Sequence, residues 1–231
     1  MPTLLLTDSN RGIGLELCAQ YLEAGWDVHA SCRDPSNATR LNALAEQFPE
    51  KLYIHTLDTR NIDQIADLKK TLADTPIDLL FNNAGIYGTK ANHLGHLDHE
   101  AWLETFRTNV ISPMMVIEAF VDNVARSQKK SIVNLTSKMG SIDDNGFGGR
   151  YAYRSSKAAL NMTMVSASIE LKDSDIGVYL IHPGWVRTDM GGPNGELSVD
   201  KSVSRIRALV ENFTLEDSGK FFDIDGSIIR W

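Results

Sequence analysis

Short apolar runs alternate with longer amphipathic stretches along almost all of this 231-residue chain. That alternation constrains the fold more than any other feature. The runs at 3–7, 26–32, 52–57, 77–82, 131–135, 177–182 and 220–224 have strand length. The stretches 12–24, 38–48, 61–72, 98–106, 109–126, 153–171 and 198–212 space their apolar residues as helices do. Strands separated by helices require crossover connections, which predicts an α/β architecture: a mostly parallel sheet with helices on both faces. One domain spanning 1–231 is the expectation at this length. The glycine-rich loops 140–150 and 191–198 follow predicted strands, where open α/β sheets bind their ligands.

Acidic residues outnumber basic ones by 30 to 23, a net charge of −7. This argues against nucleic acid or an anionic membrane as the main partner. Cys18 and Cys32 are too few for a disulfide framework and show no paired metal-site spacing. No apolar run reaches the roughly 18 residues of a membrane span, and the first residues lack a signal-peptide pattern. A soluble, cytoplasmic protein with no metal is expected.

The first strand ends in Thr7-Asp8-Ser9-Asn10-Arg11-Gly12-Ile13-Gly14, directly before a helical stretch. A helix N-terminus presents unpaired N–H groups and the positive end of its dipole, which suits a pyrophosphate. Gly-x-Gly alone also fits a tight strand-to-helix turn with no ligand.

The turn resembles the Thr-Gly-x-x-x-Gly-x-Gly turn of the short-chain dehydrogenase/reductase family. Three further landmarks stand in family order: Asn82-Asn83-Ala84-Gly85, Tyr153-x-x-x-Lys157 and His182-Pro183-Gly184. The resemblance covers essentially the whole chain. The stretch from Gly148 to Asn161, and Asp225-Gly226 near Trp231, are most similar to the C-factor and sniffer-type carbonyl-reductase branch. The resemblance implies a Rossmann-type doubly wound fold. It also implies an NADP(H)-dependent oxidoreductase interconverting an aldehyde or ketone and an alcohol. A homodimer or homotetramer through helices 109–126 and 153–171 is implied with it. A cofactor-binding signalling or sensor protein with little turnover is the alternative.

On this resemblance Ser9, Asn10, Arg11, Gly12, Ile13 and Gly14 form the phosphate turn. Asp8 replaces the family's first glycine. It either faces the adenosine ribose or turns outward and caps the following turn or helix. NAD-preferring folds place a carboxylate at the end of the second strand. Arg33 stands there instead, and its guanidinium suits a 2′-phosphate. Arg11 would be a second cation, so NADP is expected over NAD, with Asp34 in the NAD role as the alternative. Asp58 matches the adenine-contacting acid or caps the helix near 61. Asn83, Ala84 and Gly85 would line the adenosine side. Pro183, Gly184, Val186 and Thr188 would lie toward the nicotinamide, Thr188 alternatively being a helix cap.

Tyr153 and Lys157 lie four apart and share a helical face. Bringing a tyrosine from its pKa near 10 to neutrality takes about three units, or roughly 4 kcal/mol. A nearby ammonium and an oxidised nicotinamide both act in that direction. Tyr151 is spaced six from Lys157 and is expected to line the cleft or pack beneath it. The resemblance makes Tyr153 the acid in reduction, Lys157 its tuner and ribose anchor, and Ser137 the orienter of the substrate oxygen. Ser141 is the alternative to Ser137. Asn109 matches the asparagine that supports a water relay, or is simply a helix-starting polar residue. His93, His96 and His99 are read as a solvated loop. Asp143-Asp144-Asn145-Gly146 is read as a turn, and Gln128-Lys129-Lys130 as a helix end.

Overall fold

The structure is a computed structural model that describes residues 1–89 and 93–231. Among these residues seven strands run in chain order: β1 (Thr3–Leu6), β2 (Asp27–Cys32), β3 (Leu52–Thr56), β4 (Leu79–Asn82), β5 (Ser131–Leu135), β6 (Gly177–Ile181) and β7 (Phe221–Phe222). They form one sheet in the order β3-β2-β1-β4-β5-β6-β7. Every pairing is parallel. The helices are α1 (Gly12–Glu23), α2 (Thr39–Gln47), α3 (Ile62–Thr71), α4 (His99–Phe106), α5 (Ser112–Ala125), α6 (Tyr151–Glu170) and α7 (Val199–Asn212).

All four residues of β1 are buried, because a parallel strand with helices on both faces has no solvated side. Its side chains divide by pleat. Leu4 and Leu6 join Leu17, Tyr21, Leu41, Val203 and Ile206 of α1, α2 and α7 on one face. Leu5 joins Ile65, Leu68, Val116, Phe120, Leu160 and Met164 of α3, α5 and α6 on the other. The strand order reverses between β1 and β4, which opens a crevice at their carboxyl ends. Thr7, just beyond β1, closes it from below: its hydroxyl accepts from Asn83 N at 3.0 Å and Ala84 N at 3.1 Å.

Helices 98–106 and 109–126 were expected to be separate. They are instead joined by one wide π-helical turn, Arg107–Ile111. Residue 113 is proline and has no N–H to give to the Asn109 carbonyl four residues back, and the Ser112 hydroxyl donates to Arg107 O at 2.9 Å. Helix α6 begins two residues earlier than the periodicity indicates, after Arg150 in a left-handed conformation (φ 54). No helix among the described residues is long and apolar enough to cross a membrane.

Candidate active site

Three elements bring Ser137, Tyr153 and Lys157 together. Ser137 follows β5 and caps the short turn Lys138–Gly140, its Oγ accepting from Met139 N at 3.2 Å. That turn lies against α6, so a Cβ on Gly140 would stand 2.8 Å from the Lys157 carbonyl carbon. Tyr153 occupies the first turn of α6, is 8% exposed and is hydrogen-bonded to Ser137. Lys157 follows one turn later, 5% exposed, donating to Leu135 O at 2.9 Å. Its Nζ is 5.9 Å from the Tyr153 ring centroid. The Tyr87 ring covers Tyr153 at a centroid distance of 4.6 Å.

Ser141, the alternative serine, is committed elsewhere. Its hydroxyl donates to Arg230 O at 2.6 Å and accepts from Asp144 N at 3.0 Å. Tyr151 packs against Trp102 of α4, ring centroids 6.3 Å apart.

Asn109 sits within the π-helical turn, fully buried, and is therefore not a helix-starting residue. Its Oδ1 accepts from Ile86 N and its Nδ2 donates to Ile86 O, both at 2.8 Å. The same Nδ2 donates to Ser156 Oγ at 3.0 Å. This holds the chain after β4 against α6. A Cβ on Gly85 would lie 3.7 Å from Lys157 Nζ.

A cleft of about 660 Å³ extends from this cluster across the ends of β1 and β4. Arg11, Gly12, Ile13, Gly14, Asn83, Gly85, Pro183 and Thr188 line it with Tyr153 and Lys157. A small extension of about 60 Å³ runs toward β2 and β3, lined by Arg33, Asp58 and Ala84. Gly14 is required by close approach: a Cβ there would meet Asp8 O at 2.2 Å and Asn83 Nδ2 at 2.7 Å. Asn83 Nδ2 donates to the carbonyls of Thr7 (3.0 Å) and Asp8 (2.9 Å), locking the turn. These glycines leave room beside the N-terminus of α1, and Arg11 and Arg33 add positive charge. The chain thus fits a phosphate-bearing dinucleotide.

The family model for short chain dehydrogenase matches residues 2–197. The chain belongs to the short-chain dehydrogenase family. It is 40% identical over 156 residues to the C-signal of Myxococcus xanthus, covering 68% of this chain and 93% of that protein. The carbonyl reductase Sniffer of D. melanogaster superposes with a TM-score of 0.92 at 32% identity, covering 100% of both chains. The NADPH-bound carbonyl reductase from chicken fatty liver gives 0.91 at 33% identity, covering 100% of this chain and 99% of that one.

The remaining candidate side chains take the following places, some of which decide between the alternatives. Asp8 does not cap α1: the cap position is Arg11, with no side-chain cap bond. Asp8 lines both the cleft and its extension. Burial raises its pKa, opposed by Arg11 and Arg33. Ser9 is wholly buried, its Oγ donating to Leu6 O and accepting from Ser31 N, so it ties β1 to β2. Asn10 is half-buried outside the cleft lining. Asp34 is consumed by its own turn, accepting from Ser36 Oγ and Asn37 Nδ2, both at 2.5 Å. Asp58 does not cap α3, since Asn61 does so. Asp58 instead holds Arg60, whose guanidinium lowers its pKa.

Beyond β6, Gly184 takes φ +79, and a Cβ there would stand 2.6 Å from Leu197 Cδ1. Val186 is buried and bridges to Leu197. Thr188 Oγ1 accepts from Gly191 N at 3.0 Å and packs near Gly12, closing a turn rather than capping a helix. The His93 and His96 rings lie 4.7 Å apart, tilted by 52°, and no three-ligand metal cluster exists among the described residues. Sequence reasoning missed Arg40 and Arg187 in the cleft and Arg60 in the extension. None stands in a motif; only the fold of α2 and of the loops after β3 and β6 brings them there.

Burial dominates the proton chemistry of the pair. Burial pushes the Tyr153 hydroxyl up to about 12 against the Ser137 hydrogen bond, and Tyr87 adds to the rise. Burial pulls Lys157 down to about 8. The expected fall of Tyr153 toward neutrality is therefore not produced by the chain's own groups, because desolvation outweighs them.

Proposed function

We propose that this protein is an NADP(H)-dependent oxidoreductase that interconverts an aldehyde or ketone with the corresponding alcohol. Tyr153 and Lys157 in the cleft lining, with Ser137 hydrogen-bonded to Tyr153, carry the reading. The carbonyl reductases to which the chain is similar, one of them NADPH-bound, support it. At the adenosine end Arg33 faces the extension while Asp34 is tied up in its own turn, which favours a 2′-phosphate. Ser9 and Asn10 shape the phosphate turn; Arg11, Gly12, Ile13 and Gly14 face the pyrophosphate. Asp58, Asn83, Ala84 and Gly85 border the adenosine side, and Pro183, Gly184, Val186 and Thr188 the nicotinamide side.

The cofactor, when bound, supplies the hydride for the carbonyl carbon. Tyr153, protonated at neutral pH, gives its phenolic proton to the carbonyl oxygen. The Ser137 hydroxyl orients that oxygen. Lys157 holds positive charge beside the phenolate left by proton transfer. Asn109 positions the β4 loop and α6 around the pair. Alcohol oxidation runs the same proton path in reverse.

The test follows NADPH oxidation across a panel of aldehydes and ketones. Tyr153→Phe is expected to lower turnover by about a hundredfold to ten-thousandfold, the usual contribution of a positioned acid, with NADPH fluorescence titration nearly unchanged. Full activity in that variant refutes the assignment. A second reading, a cofactor-binding signalling protein with slight turnover, is favoured by the similarity to C-signal. It predicts NADPH binding without any rate sensitive to Tyr153. The same proposal includes one cytoplasmic domain assembled as a homodimer or homotetramer through α5 and α6, where Met162 and Ile169 are exposed. Sedimentation velocity tests the assembly.

A further inference from the structure

We propose that Asp8 sets cofactor selectivity: its carboxylate opposes Arg11 and Arg33 and narrows the preference for a 2′-phosphate over a 2′-hydroxyl. The inference rests on the dinucleotide reading above and concerns only the adenosine end. Asp8 has φ 56, in the left-handed region. Glycine occupies that region without penalty, whereas aspartate and asparagine are among the few side-chain-bearing residues that tolerate it. The carbonyl at this position is engaged, Asp8 O accepting from Asn83 Nδ2 and lying where Gly14 has no Cβ. Among the described residues no hydrogen bond to the Asp8 carboxylate is formed, and α1 has no side-chain cap.

Of Asp8 and the carboxylates that follow β2 and β3, the latter two are already occupied. Asp34 is held by Ser36 and Asn37. Asp58 is held by Arg60. Arg33 faces both Asp8 and Asp58, so its charge is shared between them. Asp8 is therefore the carboxylate left to accept from a ribose hydroxyl, the role that acids at the end of the second strand otherwise take. A 2′-phosphate entering the same space gains Arg33 and Arg11 but meets the Asp8 charge. A 2′-hydroxyl meets an acceptor. The two effects pull the affinities for NADPH and NADH together.

Nicotinamide fluorescence titrations with NADPH and NADH, at one ionic strength, compare the wild type with Asp8→Asn and Asp8→Gly. Both replacements suit φ 56, and thermal melting reports whether each folds. Removing the charge is expected to raise the NADPH-over-NADH affinity ratio about tenfold in both variants, equivalent to about 1.4 kcal/mol. Asp8→Asn gains this through tighter NADPH. An unchanged ratio, or equal tightening of both cofactors, overturns the inference and leaves the dinucleotide reading standing. Failure of the wild type to bind either cofactor overturns both.

Discussion

Lys157 is a buried cation in the floor of the cleft, and its replacement by methionine ought to separate stability from activity. Its pKa is pulled from 10.5 to about 8 by burial. The folded state thus holds the proton less tightly than the unfolded chain does. The penalty is complete below the folded value of about 8 and disappears as pH rises through the unfolded value of 10.5. That lowering corresponds to about 3 kcal/mol at pH 7, falling to about 1 kcal/mol at pH 9.5. Lys157→Met removes this penalty but orphans the Leu135 carbonyl, which now accepts from Nζ at 2.9 Å. An unsatisfied buried acceptor costs about 1–3 kcal/mol. The variant is therefore expected to be about 1 kcal/mol more stable than wild type at pH 7, and inactive. Its advantage should shrink by about 2 kcal/mol between pH 7 and pH 9.5. Urea unfolding of both proteins at the two pH values reads this difference, in which the other titrating groups cancel. A pH-independent difference, or one that grows with pH, would show that Lys157 is not desolvated as the packing indicates.

Two further outcomes follow from the same geometry, beside the Tyr153→Phe test above. Gly14→Ala places a Cβ 2.2 Å from Asp8 O; it should abolish NADPH binding and lower stability by about 1–3 kcal/mol, the range of overpacked sites, as titration and urea unfolding measure. His29, whose Nδ1 lies 3.0 Å from His55 Nε2, has its pKa lowered from 6.5 to about 4 by burial and His55. A depressed histidine favours the neutral fold, so its contribution is full above pH 6.5 and about 3 kcal/mol is lost as pH falls to 4. His29→Gln should flatten that acid decline in urea midpoints taken between pH 7 and pH 4.5.

The strands and helices were legible because each combines an apolar run with a clear period. Strand β5 lies at the predicted 131–135, and α1 ends one residue short of its predicted end. The joined run from α4 to α5 was not legible. Arg107, Thr108 and Asn109 interrupt the apolar stripe, and only the packing of α6 and the β4 loop buries Thr108 and Asn109 inside a helix. Spacing placed Tyr153 and Lys157 on one face but left Ser137 and Ser141 as rivals. Arg230, 89 residues from Ser141, separates them by taking its hydroxyl.

Sequence alone determined the crossover topology, the glycine cradle before α1 and the shared face of Tyr153 and Lys157, since each depends on local spacing and backbone freedom. Tertiary structure decided which of Asp8, Asp34 and Asp58 faces the cleft, and how far Tyr153 and Lys157 titrate from their ordinary values. Both answers depend on what distant segments bury and hydrogen-bond. Desolvation is a property of the assembled surroundings, and no spacing along the chain encodes it.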